Sequence, residues 1–383
     1  VTNKGESMGI YIHIPFCLQK CDYCDFYSLP LNQPDLLEDY TRSVTNELNM
    51  RQAEMDRPFI SIYLGGGTPS LLRPGQVEQI LSAIFAAYSS QGKIEISMEM
   101  NPATVTLKKL KDYKAAGVNR MSVGVQSFSD QELKLLGRLH DRAEAEDALR
   151  CVHQAGFDNF SLDLIYGLPG QTWSAWSRNL SRAVEFEPRH ISAYLLQLEP
   201  TTPMAQKIEK GMMSLLDDEA EAGLYYNMVD YLKEQGYLHY EISNFARPGC
   251  ECRHNLLYWQ SRPYLGIGCG AVSFNDTERY INQPPLENYI SALLDSRRPP
   301  VTMLESMNSE ERLIDAVVMG LRLTQGINGT DFKHRWGIDI LKKYHDILSG
   351  GQTRGLLELE NDRIYLTKRG YFLSNQVLSE FFS

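Results

Sequence analysis

Six short β-rich runs alternate with segments of helical period over the first half of the chain, and that alternation leaves few folds open. The strand candidates are Ile10–Phe16, Phe59–Gly65, Ile94–Asn101, Arg120–Ser127, Phe160–Gly167 and His190–Leu198. Between them, Asp39–Met55, Gly75–Tyr88, Thr106–Ala116, Arg142–Ala155 and Thr172–Glu185 place apolar residues about every 3.6 positions, the spacing of one helix face. Strands joined through helices pair in parallel by right-handed crossovers, so the expected fold is α/β, a partial (β/α)6 barrel of the TIM type. On such a barrel, chemistry gathers at the C-terminal ends of the strands.

From about residue 200 the pattern becomes irregular, with a helix at Asp217–Gln235, a glycine-rich stretch Gly266–Gly270, and the proline pairs Pro284–Pro285 and Pro299–Pro300. The second pair marks a boundary. Helical periods follow at Ser309–Leu323, Gly329–Trp336 and Ile338–Gly350, then a hairpin Leu356–Leu366 turning at Asn361–Asp362. The expected organisation is a barrel over 1–200, an extension over 201–300 and a smaller α+β, winged-helix-like module over 301–383. Winged modules often sit on DNA, but residues 304–383 carry 10 Lys and Arg against 11 Asp and Glu, so a packing lid is expected instead. The whole chain has a formal charge of −10 and no basic block, which argues against nucleic acid as a partner. No apolar run is long enough for a transmembrane segment, and Val1–Met8 lacks the hydrophobic centre of a secretory signal; a cytoplasmic protein is expected.

Seven cysteines are too few and too unevenly spread for a disulfide framework, and three of them crowd together in Cys17-Leu-Gln-Lys-Cys21-Asp-Tyr-Cys24, directly after the first strand. Three thiolates can hold three irons of a [4Fe–4S] cube and leave the fourth iron open. A structural zinc wants four protein ligands and finds no obvious local fourth here; zinc and plain buried thiols are the competing readings. Gly65–Gly67 would let backbone amides approach a ligand, with Thr68 adding a hydroxyl, although the run lacks the ending of a phosphate-binding loop. Glu99, Gln126 and Asp163, near the ends of three strands, would aim polar groups at the barrel mouth; taken singly, each could equally satisfy loop amides.

The spacing C-x3-C-x2-C after a first barrel strand resembles the radical S-adenosylmethionine superfamily. Tyr11-Ile-His-Ile-Pro-Phe-Cys17, Gly65-Gly-Gly-Thr-Pro-Ser70, Gly124-Val-Gln-Ser-Phe128 and Asp163-Leu-Ile-Tyr-Gly-Leu-Pro169 further resemble, in order and spacing, the oxygen-independent coproporphyrinogen III oxidase family over nearly the whole chain. The resemblance implies a [4Fe–4S] cluster on Cys17, Cys21 and Cys24, with S-adenosylmethionine (SAM) chelating the open iron. It implies SAM contacts from Tyr11, Tyr23, Gly66, Gly67, Thr68, Glu99, Gln126, Arg138 and Asp163. The oxidase holds two SAM molecules; Gln197 stands where it has a small apolar residue, which leaves one or two open.

Two departures separate this chain from the oxidase. Phe26 replaces a further cysteine, and only 16 residues precede Cys17 where the oxidase has a long segment folding over substrate. In addition, Cys252-Arg-His254-Asn255-Leu-Leu-Tyr258-Trp259 resembles the H-N-x-x-Y-W motif of the HemW haem-chaperone branch. That branch implies haem contact by His254, Asn255, Tyr258 and Trp259, with Cys250 or Cys252 as alternative iron ligands. The expected function is binding of haem and its delivery to apoproteins such as respiratory enzymes, at a membrane surface but without an evident anchor, by a monomer or homodimer. The alternative is the oxidase reaction, conversion of two propionates to vinyls. The other histidines, Cys151 and Cys269 read as core or surface residues.

Overall fold

The computed structural model describes residues 7–54 and 57–382; most of the polar leader and Met55, the expected end of the first helix, lie outside the described residues. Six parallel strands form the frame: β1 (Met8–Ile14), β2 (Phe59–Gly66), β3 (Ser90–Met100), β4 (Arg120–Gln126), β5 (Phe160–Tyr166) and β6 (His190–Leu195). Each neighbouring pair in this series is parallel, as the alternation predicts. Successive residues of a strand point to opposite faces, and the two faces differ sharply. One carries Ile10, Ile12, Ile14, Ile62, Leu64, Met98, Met121, Val123, Val125, Leu162 and Leu164, all fully buried beneath the helices. The inward face carries Tyr11, His13, Ser61, Tyr63, Glu95, Ser97, Glu99, Arg120, Ser122, Gln126, Ser161, Asp163, His190 and Ser192. Barrel interiors are usually filled by branched apolar residues. This one is a lumen lined by polar side chains.

The segment expected to be irregular adds five more strands, and the start of the expected C-terminal module a sixth. β7 (Leu238–Glu241) and β8 (Asn244–Ala246) extend the sheet beyond β6, while β9 (Tyr264–Ile267), β10 (Val272–Phe274), β11 (Glu278–Asn282) and β12 (Val301–Ser306) extend it beyond β1. The resulting order is β12-β11-β10-β9-β1-β2-β3-β4-β5-β6-β8-β7. β9 runs parallel to β1 and the rest of that wing is antiparallel. These strands are three to six residues long, running from fully buried at Asn244–Ala246 to mostly exposed at Val301–Ser306, and too short to show a period. β9 and β10 approach so closely that a Cβ on Gly266 would lie 2.0 Å from the Val272 carbonyl oxygen.

β12 directly follows Pro299–Pro300 and belongs to the large sheet, so the C-terminal module starts at the helix Ser309–Gly320. It holds a three-stranded sheet in the order Ile327–Asn328, Arg363–Leu366, Leu357–Glu360, with helices Gly329–Trp336 and His345–Thr353, the arrangement of a winged helix. The hairpin turns at Asn361 and Asp362, both at positive φ, as a two-residue turn requires. The expected helix Ile338–Gly350 is broken at Tyr344 (φ −111°, ψ 25°), whose ring packs edge-on against Phe381 at 5.2 Å. The first helix begins at Asp35, behind Pro34, four residues before its expected start.

Candidate functional site

The cysteine loop is closed by its own small ladder. Pro15 ends β1, Phe16–Cys17 pairs in parallel with Leu29–Pro30, and the Leu29 and Leu31 amides donate to the carbonyls of Pro15 and Cys17 at 2.8 and 2.9 Å. Cys17 is buried, and Cys21 and Cys24 are half-buried. Burial pushes the Cys17 and Cys24 thiols up, and the neighbouring Cys21 pushes both the same way, so the three sulfurs share one electrostatic neighbourhood. Among the described residues no three His, Cys, Asp or Glu side chains converge as a single ion would require. Three thiols within eight residues are the donor set for three corners of a [4Fe–4S] cube, whereas a structural zinc wants four protein ligands.

Arg138 faces this loop. Its Nη1 lies 3.5 Å from Cys21 Sγ, its Nη2 donates to the Gly124 carbonyl at 2.7 Å, and its Nε is buried with no partner. Gln126 sits at the same spot: a Cβ on Gly124 would lie 3.0 Å from Gln126 Nε2 and 3.5 Å from Arg138 Nη2. A bulge between Val123 and Gln126 turns Gln126 into the left-handed region, φ 68°, a costly conformation for a residue with a side chain. Tyr23 packs against a satellite apolar cluster of Leu136, Ile165, Leu168, Leu196 and Met204, and burial raises its hydroxyl pKa. Asp22 anchors the loop: its backbone carbonyl accepts from the Met204 amide at 2.9 Å, and its carboxylate pairs with Lys207 at 2.5 Å.

The glycine run closes the other side of the mouth. Gly66 has φ 112°, and a Cβ there would lie 2.6 Å from the His13 ring; on Gly67 it would lie 2.6 Å from the Phe16 carbonyl oxygen. Only glycine lets this turn pass beneath the cysteine loop, where Gly67 donates to the Ile14 carbonyl at 2.9 Å. Thr68 follows, buried, at the start of the 3-10 turn Pro69–Leu71. Below them Glu99 accepts from the Tyr63 hydroxyl at 2.9 Å and the Gly66 amide at 3.1 Å. Burial, and then the nearby Asp163, push Glu99 up to about 7. Burial also raises Asp163, against hydrogen bonds from Ser122 at 2.9 and 3.1 Å and Ser161 at 3.2 Å. Tyr11 stacks on Tyr63 at 6.2 Å, and its hydroxyl meets His13 Nδ1 at 3.0 Å. His13 Nε2 faces the Tyr27 carbonyl at 2.9 Å; a carbonyl only accepts, so the proton is on Nε2 and Tyr11 donates to Nδ1.

Thus Tyr11, Gly66, Glu99 and Asp163 form one group in the lumen, and Tyr23, Gln126 and Arg138 form another beside the cysteines. His13, Tyr63 and Ser122 belong to the same surface and were not among the expected residues. Their signal was period-2 alternation: each lies two or four positions before or after a flagged residue on the same strand. A groove of about 680 Å³, lined by Glu132, Gln171 and Arg178 among others, lies outside the lumen and touches none of the expected site residues.

The second motif lies at the opposite end of the lumen. Residues Arg253–Trp259 form a short helix that closes the barrel floor, its first turn held by Glu95, which accepts from the Arg253 and His254 amides at 3.1 and 3.2 Å. His254 is 1% exposed, with Nδ1 at 2.9 Å from Ser61 Oγ and Nε2 at 2.8 Å from the Tyr258 hydroxyl. Both ring nitrogens are engaged, and burial lowers the imidazole to about 3. Cys252 is buried with its thiol pushed up to about 12, first by burial; Cys250 is half-buried. Trp259 points away from the lumen, under the Arg322 guanidinium at 4.5 Å, and lines a cleft of about 290 Å³ against the C-terminal module. Asn255 is half-buried beside it.

A curved parallel sheet with a polar lumen and a three-cysteine loop at its mouth defines the radical SAM class of protein, and residues 11–181 match the Radical SAM superfamily. Residues 307–373 match the HemN C-terminal domain. The fold is similar to the coproporphyrinogen III oxidase HemN from Escherichia coli, with a TM-score of 0.85 and 22% identity over 99% of this chain and 90% of that one. The chain is 33% identical to the heme chaperone HemW of Bacillus subtilis over 97% of its own length and 98% of the relative's. It is 35% identical to HemW of Synechocystis over 97% and 96%, and 41% identical to HemW of E. coli over 71% and 72%. The chain belongs to the HemW family. Among the described residues no helix is long and apolar enough to cross a membrane.

Proposed function

We propose that this chain is a cytoplasmic haem chaperone that binds haem and hands it to apoproteins such as those of the respiratory chain. Its cluster loop is built on Cys17, Cys21 and Cys24, and a SAM site on Tyr11, Tyr23, Gly66, Gly67, Thr68, Glu99, Gln126, Arg138 and Asp163. The observation that carries the reading is the closed three-thiol loop above a polar lumen in a chain whose relatives, matched over nearly their full length, are heme chaperones. When bound, such a cluster supplies single electrons to the sulfonium of SAM. The protein's own part is positional: Arg138 offers a buried, unpartnered Nε beside Cys21, and Glu99 and Asp163 offer carboxylates to an ammonium or to ribose hydroxyls.

The H-N-x-x-Y-W segment serves this function as the barrel floor. An iron reaches His254 Nε2 only by displacing the Tyr258 hydroxyl, so haem contact by His254, Asn255, Tyr258 and Trp259 is coupled to opening of that floor. Transfer to a respiratory recipient brings the chain to a membrane surface, as a monomer or homodimer.

Anaerobic purification followed by haem titration tests the reading. A Soret band saturating at one haem per chain is expected; absence of stoichiometric binding would sink it. The oxidase reaction is the second reading, favoured by the likeness to HemN. Against it, an exposed Phe26 stands two residues beyond Cys24 where that family places a cysteine. Supplying coproporphyrinogen, SAM and reductant separates the two, since protoporphyrinogen and carbon dioxide form only in the oxidase.

A further inference from the structure

The inward-facing polar groups of the lower barrel can be accounted for one by one. Ser61 and Tyr258 take the two nitrogens of His254. Ser161 and Tyr240 take those of His190, at 2.7 and 2.8 Å. Ser122 donates to Asp163. Glu95 accepts from the Arg253 and His254 amides and, at 3.6 Å, from the Cys252 thiol.

Two groups are left over. Arg120 is 2% exposed, its Nε is buried without a hydrogen-bond partner, and it enters no ion pair among the described residues. The Ser97 hydroxyl, fully buried, has no partner either. They are neighbours, because Ser97 and Arg120 are direct partners in the β3–β4 ladder and share its inner face. Cys252, Glu95, Tyr63, Tyr240 and the Asp163 carboxylate lie within electrostatic reach of the guanidinium, but Glu95 has committed its oxygens to the first turn of the floor helix and Asp163 accepts from Ser122 and Ser161.

Native interiors rarely leave such groups unpaired, and a buried guanidinium with five N–H donors and no acceptor is costly. We propose that Arg120 and Ser97 form an anion site at the bottom of the lumen that takes a carboxylate, supplied by a small acid or by the carboxylate arm of a larger lumen-bound molecule. The planar fork of the guanidinium matches the two oxygens of a carboxylate, and the serine hydroxyl adds a third donor from the adjoining strand. The site lies on the floor side of Glu99 and Asp163, apart from the cysteine loop, and stands whether or not the chain carries haem.

The test uses the full chain, purified anaerobically, in chloride-free buffer. Carbon-13-labelled acetate should broaden and shift saturably on binding. Ser97→Ala should weaken acetate about tenfold, the size of one hydrogen bond to a charged group, and Arg120→Lys should weaken it further by removing the fork. Melting temperature and iron content are recorded for each variant; if Arg120→Lys does not fold, Ser97→Ala decides alone. In crystals soaked in bromide, an anomalous peak beside Arg120 supports the site. Haem added to the acetate complex then separates the sources. Displacement of acetate by haem, but not by its dimethyl ester, assigns the site to a propionate; retention of acetate assigns it to a small acid, and both support the site. No saturable acetate response in the parent chain, or an undiminished one in Ser97→Ala, overturns the proposal.

Discussion

Gly66 donates its amide proton to Glu99 across 3.1 Å, tying the turn after β2 to the third strand through a carboxylate that burial and Asp163 push up to about 7. The same carboxylate sits near pH 4.3 in an unfolded chain. Between those values the folded protein holds the extra proton, so this contribution is fully present below the unfolded pKa and is lost as pH rises through about 7. Glu99 is only half-buried, which discounts the effect to about 2 kcal/mol. Glu99→Gln should therefore be more stable than the parent at pH 8 and lose that advantage near pH 5. Melting temperatures of the ligand-free chains across this range check it; parallel pH profiles would count against a raised Glu99.

The cysteine loop makes a separable prediction. Cys17→Ser, Cys21→Ser and Cys24→Ser each remove one of three thiols held by a closed loop, and no other cysteine stands in for them: Cys252 lies at the barrel floor and Cys269 is buried under Tyr40 and Tyr27. Iron after anaerobic reconstitution should fall from about four per chain toward zero in each variant, while Cys151→Ser, on an outer helix, keeps the parent value. Iron and sulfide assays with the electron paramagnetic spectrum of the dithionite-reduced protein read the outcome.

Gly67→Ala places a methyl 2.6 Å from the Phe16 carbonyl oxygen and 3.0 Å from that of Ile14, both backbone atoms that cannot rotate away. The expected cost is about 2–4 kcal/mol, with the turn displaced from the cysteine loop. Gly75→Ala, where nothing lies within 4 Å of the added carbon, is the control. Thermal unfolding separates them, and equilibrium dialysis of SAM onto the reconstituted proteins should show binding lost only in Gly67→Ala.

How far the sequence reaches can be seen at particular residues. The six parallel strands were legible because an unbroken apolar face, such as Ile10, Ile12 and Ile14, alternates with polar residues over six or more positions. Strands such as Asn244–Ala246 were not, since three residues have no period and only pairing with β6 makes them strands. The same limit applied to the site. Cys17, Cys21 and Cys24 are close in sequence, and so could be read together. Arg120 and Ser97 become neighbours only through the ladder register, which no local pattern encodes. His254 shows the opposite failure: its motif was visible, but its burial depends on Ser61 and Tyr258, and the first of these lies 193 residues away.

That burial sets how the fold responds to acid. His254 is held neutral by its surroundings down to about 3, His140 and His239 to about 4, and His13 and His190 are lowered as well, burial being the first cause in every case. In the unfolded chain each takes up a proton near pH 6.5. Below that value the unfolded state binds more protons than the folded one, so stability is present above pH 6.5 and drains away as pH falls, by up to about 1.4 kcal/mol per pH unit for each such histidine. His254→Asn removes one of the five and should flatten the slope between pH 6.5 and 4.5 by about that amount. At pH 7.5 it should nonetheless be less stable than the parent by about 2–4 kcal/mol, because Ser61 and Tyr258 lose well-placed partners and a ring-sized volume empties beside Tyr63. Denaturant titrations at pH 7.5, 6.5 and 4.5 measure both effects; a variant less stable at pH 7.5 but with the parent's slope would mean that His254 titrates in the folded chain.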